Sequence, residues 1–180
     1  YAPGYIDAVA VQERDLNADN DFADTNEVVY YHANVLSTTY ALTDSSGTVL
    51  ERYRYDAYGA VTVLDADGSA DADGLSDVEN PYTFTGRRLD TETGLMQYRN
   101  RYYSAALGRF VSRDPAGYVD GMNLYQYCTS RPVYATDPTG WTTVMYERMR
   151  ITLVSIWQAS GDTVNSIYDA NCPLINAMND

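Results

Sequence analysis

The chain has 180 residues, enough for one domain with a real core, and a formal net charge of −13. That acidity argues against a nucleic-acid binder, whose affinity comes mainly from cations set against phosphate. All 12 basic residues are Arg, seven of them between Arg87 and Arg131, and 18 Tyr stand against 3 Phe, a composition suited to polar-tipped, paired side chains along sheet faces.

In chain order, the opening residues 1–5 read like the middle of a strand, as expected of a C-terminal piece of a longer chain. Residues 15–24 (DLNADNDFAD) form an acidic loop. The β-branched and aromatic run 27–34 (EVVYYHAN) predicts a strand. In 37–65, the turn signal Asp44-Ser45-Ser46-Gly47 separates two strand-like runs, and Tyr53, Tyr55, Val61 and Val63 alternate at period two. These features predict an antiparallel meander. A second acidic loop, 65–77, follows.

Beyond it, strands are expected at 82–85 and 95–103, flanking a turn at 90–94. A brief turn is expected at 104–108 and a short helix at 122–127 with Asn123 near its start. After Trp141 the pattern changes: Val144, Met145, Met149, Leu153, Ile156 and Trp157 lie near helical spacing, with Gly161 as a stop. A strand through 151–156 is the alternative, and a second short helix is expected at 163–171.

Two acidic stretches raise calcium as a ligand, because closely spaced carboxylates with a Gly at a sharp turn collect hard cations. Asp71, Asp73 and Asp77 make the better set. Neither stretch has the Glu that completes an EF-hand, so the competing reading is a solvated surface loop. Cys128 and Cys172 are too few for a disulfide scaffold, though they can pair. Cys128 with His32, the single histidine, is a conceivable dyad. The chain has no 18-residue apolar run, so no membrane-spanning helix is expected.

Residues 108–141 hold two Asp-Pro-x-Gly units, Asp114-Pro115-Ala116-Gly117 and Asp137-Pro138-Thr139-Gly140. Such turns end strands, with the Asp bonding its own backbone. Two carboxylates delivered to one place can also share a proton and activate water.

The order G-R-F-x-S-x-D-P, N-L-Y-x-Y and P-x-x-x-x-D-P-x-G, following YRYDAYG at 53–59, closely resembles the core domain of Rhs and YD-repeat proteins over roughly residues 30–141. The resemblance implies a mainly β fold: a meander of YD-type strands at the end of a hollow β-cocoon. Residues 1–29 would end the preceding repeats, 30–141 form the Rhs repeat-associated core, and 142–180 make a variable C-terminal tail. It further implies self-cleavage just after the second Asp-Pro-x-Gly unit, with Asp114 and Asp137 as the essential acids and Arg101 as the upstream arginine. The scissile bond falls between Trp141 and Thr142. The partners implied are the chain's own C-terminal segment and an upstream YD-repeat shell, with no cofactor required, in a secreted or cell-surface bacterial protein. Ser104 stands where the family often has Asp, the region around His32 departs from the common form, and Trp141 replaces the more usual Leu. The tail is short for a toxin, and a vestigial tail or lumen plug fits it better than an effector.

The chemistry expected is that of an aspartic protease turning over once on itself. One carboxylate keeps a proton and polarises the Trp141 carbonyl; the other activates water. Arg101 would orient a carboxylate through a bidentate bond. The competing classes are a non-catalytic surface or adhesion module, with both aspartates structural, and a calcium-stabilised binding module.

Overall fold

A computed structural model describes residues 8–15, 22 and 27–145. The expectations for 1–5, most of the first acidic loop, Cys172 and the helices beyond 145 lie outside the described residues.

The architecture is antiparallel β throughout. A five-stranded meander comprises β1 (Val11–Glu13), β2 (Val28–Ala33), β3 (Thr39–Thr43), β4 (Val49–Tyr55) and β5 (Val61–Asp65), each paired with the next. Two of its hairpins, β3–β4 and β4–β5, rest on one device. The Asp44 carboxylate accepts the N–H groups of Ser46 and Thr48, each at 2.8 Å, and Asp56 accepts those of Tyr58 and Ala60 at 2.8 and 2.9 Å. An aspartate heading a turn thus satisfies backbone donors that strand pairing leaves over. The period-two pattern holds: Tyr53 pairs with Val63 and Tyr55 with Val61, and Val29, Tyr31, Leu42, Tyr53 and Val63 bury one face.

A second sheet orders β6 (Arg88–Asp90), β7 (Leu95–Tyr98), β8 (Arg101–Ser104) and β9 (Arg109–Phe110). Three expectations are corrected here. Residues 82–85 are not a strand: Phe84–Gly86 form a 3-10 turn with Thr85 in the left-handed region, and β6 supplies the pairing instead. The run 95–103 is two strands, because Arg99 takes φ 55° and turns the chain so that Tyr98 pairs with Arg101. Residues 122–127 are not helical. Asn123 accepts the Tyr125 N–H with its side chain, and Gln126 bridges to Arg109.

The second core is aromatic. Tyr98, Tyr103 and Phe110 are fully buried and pack edge-to-face with ring centroids 5.4–5.7 Å apart, joined by Phe84 and Tyr127. Burying each ring contributes about 1.5–3 kcal/mol. The polar tips are satisfied: the Tyr98 hydroxyl meets those of Thr85 and Tyr127 at 2.8 and 3.0 Å, and Tyr103 donates to the Tyr58 carbonyl at 2.7 Å. This explains how a chain with few Phe builds a dry core from Tyr.

Finally, β10 (Ala135–Thr136) pairs with β11 (Val144–Met145), Thr136 opposite Val144. The start of the expected tail helix is therefore extended, folded back as the second arm of a hairpin. Its loop, 137–143, carries the second Asp-Pro-x-Gly unit and the Trp141–Thr142 bond.

Candidate active site

Arg101 opens β8, where alternation turns it to the same face as Tyr103 and into the core. Its guanidinium carbon lies 3.6 Å from the centre of the Phe110 ring. From there Nη2 reaches Asp114 Oδ2 at 3.1 Å and Asp137 Oδ2 at 3.0 Å. The remaining donors reach backbone: Nε the Gly140 carbonyl, and Nη1 the Leu124 carbonyl at 3.3 Å. The two expected acids, 13 and 36 residues beyond Arg101 in sequence, therefore converge on it through folding. The pairing differs from the bidentate form expected. One nitrogen bridges two carboxylates, because the other two donors are occupied by carbonyls.

Each aspartate also heads its own turn. Asp114 Oδ1 accepts the Ala116 N–H at 2.8 Å. Asp137 Oδ1 accepts those of Trp141 and Thr142, each at 3.1 Å, and Thr139 at 3.3 Å. Asp137 is 1% exposed. Burial pushes its carboxyl above the ordinary value, against the opposing pull of Arg101 and of these N–H groups.

The second turn is held from the β7–β8 loop, from the first residue of β8 and from Arg87, just ahead of β6. Arg87 and Arg99 donate to the Pro138 carbonyl, Asn100 Nδ2 to that of Thr139 at 2.9 Å, and Arg101 to that of Gly140. The fit leaves no room for a side chain at 140: a Cβ there would sit 2.4 Å from the Tyr98 carbonyl oxygen, and φ is +72°. Arg87, Arg99 and Asn100 were not singled out from sequence, although the crowding of Arg between 87 and 131 was their signal.

A trans, planar peptide unit points its C=O opposite its N–H. With the Thr142 N–H aimed at Asp137, the Trp141 carbonyl points away from that carboxylate. Asp137 therefore faces the nitrogen of the bond, not its oxygen. Beside Arg101 and Asp114 lies a polar cavity of about 10 Å³, also lined by Asp120, Asn123 and Thr143. That is room for one water.

The other candidates lie elsewhere. Asp71 and Asp77 meet Asp65, their oxygens within 4.8 Å of one another. Asp73 is not in that group; its Oδ1 accepts the Leu75 N–H at 2.8 Å. His32 Nε2 contacts the Thr43 hydroxyl at 3.0 Å on the first sheet. Cys128 is buried under the second, a free thiol whose pKa is raised by that burial. Nothing among the described residues joins them as a dyad.

No family model matches the chain. Similar curated proteins include the tRNA3(Ser)-specific nuclease WapA of Bacillus spizizenii, 36% identical over 123 residues, 66% of this chain and 5% of that protein. The toxin subunits YenC1 and YenC2 of Yersinia entomophaga are 31% and 35% identical over 69% and 71% of this chain, 12% of each subunit. Among solved structures, the TcdB2-TccC3-Cdc42 complex matches with TM-score 0.55 and 30% identity over 66% of this chain and 5% of that one. TcdB2-TccC3 without its hypervariable C-terminal region gives TM-score 0.55 and 31% identity over 65% and 5%. The chain thus spans a small fraction of the length of the proteins it matches. Among the described residues no helix is long and apolar enough to cross a membrane.

Proposed function

The chain belongs with the Rhs-type toxins as an Rhs-associated domain, and from that premise we propose that it caps an upstream β-shell and cuts its own backbone between Trp141 and Thr142. The protein would act as a secreted or cell-surface bacterial component, separating the shell from whatever follows residue 141. The observation that carries the reading is the convergence of Asp114 and Asp137 on Arg101, with the Thr142 nitrogen 3.1 Å from Asp137.

Asp114, bordering the water-sized cavity, acts as base: it takes a proton as water oxygen adds to the Trp141 carbonyl carbon. Asp137, whose carboxyl holds its proton to higher pH than usual, passes that proton to the Thr142 nitrogen as the C–N bond breaks. One water is consumed, and a Trp141 carboxyl and a Thr142 amine result. Arg101 keeps both acids in place while its positive charge permits one to ionise beside the other.

A second reading is a structural staple. The three N–H groups on Asp137 Oδ1 favour it, since they form a complete turn cap without any chemistry. Intact mass and N-terminal sequencing of freshly made protein separate the two, with Asp114→Asn and Asp137→Asn alongside. Self-cleavage gives a new terminus at Thr142 in wild type alone. One intact chain in all three leaves the staple. New termini at Pro115 or Pro138 mark acid scission of Asp-Pro bonds.

A further inference from the structure

The aspartates described so far hold the chain up to the Thr142 nitrogen. The next peptide N–H, that of Thr143, points elsewhere: to Asp120 Oδ2, at 2.5 Å. Asp120 lies in the loop between the first Asp-Pro-x-Gly unit and the Tyr125–Tyr127 stretch, is half-buried, and borders the same small cavity as Arg101, Asp114 and Thr143. Beyond Thr143 the chain is paired through β11 to β10.

The geometry points to Asp120 as a positioning residue that clamps the chain on the departing side of the Trp141–Thr142 bond; the inference rests on the self-cleavage reading above. Two consecutive N–H groups fix two consecutive peptide planes, because each plane is rigid and trans. Asp137 sets the plane containing the Trp141 carbonyl. Asp120 sets the next one, so Thr142 cannot rotate about its own φ and ψ and draw the Trp141–Thr142 peptide plane off Asp137. The carbonyls of 138–140 are held by Arg87, Arg99, Asn100 and Arg101, and Asp120 is the matching hold on the other side. Such orientation converts loose encounter of water and carbonyl into a prepared one. Asp120 works through a hydrogen bond, so its acceptor oxygen matters and its charge does not.

The test is pulse–chase cell-free translation of the full chain, with cleavage followed by gel and intact mass. Asp120→Ala is expected to slow cleavage at least about tenfold. Asp120→Asn keeps an acceptor oxygen and is expected to stay within about threefold of wild type. Thr143→Pro removes the donor; it should slow cleavage similarly, and Asp120→Ala should add nothing to it. In the uncleaved Asp114→Asn background, amide exchange at Thr143 should quicken with Asp120→Ala and stay slow with Asp120→Asn. Asp120→Ala at the wild-type rate overturns the inference. So does Asp120→Asn as slow as Asp120→Ala, which would make charge the operative property. If wild type itself never yields a Thr142 terminus, the self-cleavage reading falls and Asp120's part in it too; Thr143 exchange then decides whether Asp120 holds the chain at all.

Discussion

Removing the charge that bridges the two aspartates isolates what Arg101 contributes. The comparison is best made in Asp114→Asn, which stays a continuous chain and leaves one carboxylate, Asp137, facing the guanidinium. Adding Arg101→Met keeps an unbranched side chain over the Phe110 ring, where sulfur makes a favourable contact, but strands a carboxylate whose side chain is 2% exposed. Breaking a buried pair from one side costs about 3–5 kcal/mol. The Gly140 and Leu124 carbonyls also lose a donor, about 1 kcal/mol each. Urea unfolding at pH 7.5 should therefore show a loss of about 5–7 kcal/mol.

The pH dependence carries a definite sign. Burial already raises the Asp137 carboxyl above its ordinary value, and losing Arg101 raises it further. Between the unfolded and folded values the native state binds the extra proton, so stability increases as pH falls through the folded value and is lost as pH rises through it. The deficit should shrink on acidification. It should also shrink in Arg101→Met/Asp114→Asn/Asp137→Asn, to the cost of the carbonyls alone. A deficit below about 1 kcal/mol at pH 7.5, or one that does not change with pH, would refute the buried-pair account.

Cleavage should likewise slow as pH rises through the raised Asp137 value, since the proton given to Thr142 is then absent; an alkaline optimum in the pH–rate profile would contradict this. The two turn glycines should differ on substitution. Gly117→Ala meets open space and only the left-handed backbone penalty of about 1–2 kcal/mol, whereas Gly140→Ala also drives a Cβ into the Tyr98 carbonyl and should abolish cleavage; equal melting shifts would be evidence against that clamp. After cleavage the Thr142 ammonium would face Asp137 and β11 would remain on β10, so residues 142–180 should co-elute with the core on gel filtration and separate in urea. Separation in plain buffer would count against the pairing.

Much was legible without coordinates because it depends on local chemistry. The aspartate-headed turn at 44 and the alternation of Tyr53, Tyr55, Val61 and Val63 each act within a few residues, so the meander could be read directly. The resemblance to the Rhs core likewise pointed to Asp114, Asp137 and Arg101. Features that rest on distant partners were not legible. The run 95–103 has strand propensity throughout, and only the docking of 137–140 against the loop accounts for Arg99 at positive φ and the break before Arg101. Residues 82–85 have strand composition too, yet the Thr85 N–H goes to the Thr38 hydroxyl and its own hydroxyl to Tyr98, contacts 47 and 13 residues away. That one guanidinium nitrogen bridges both acids follows from two carbonyls taking its other donors, and that Asp137 faces nitrogen follows from the hairpin returning through β11. Local hydrogen bonding is written in neighbouring residues; which of several available partners a buried charge takes is settled only when the packed chain leaves it no other.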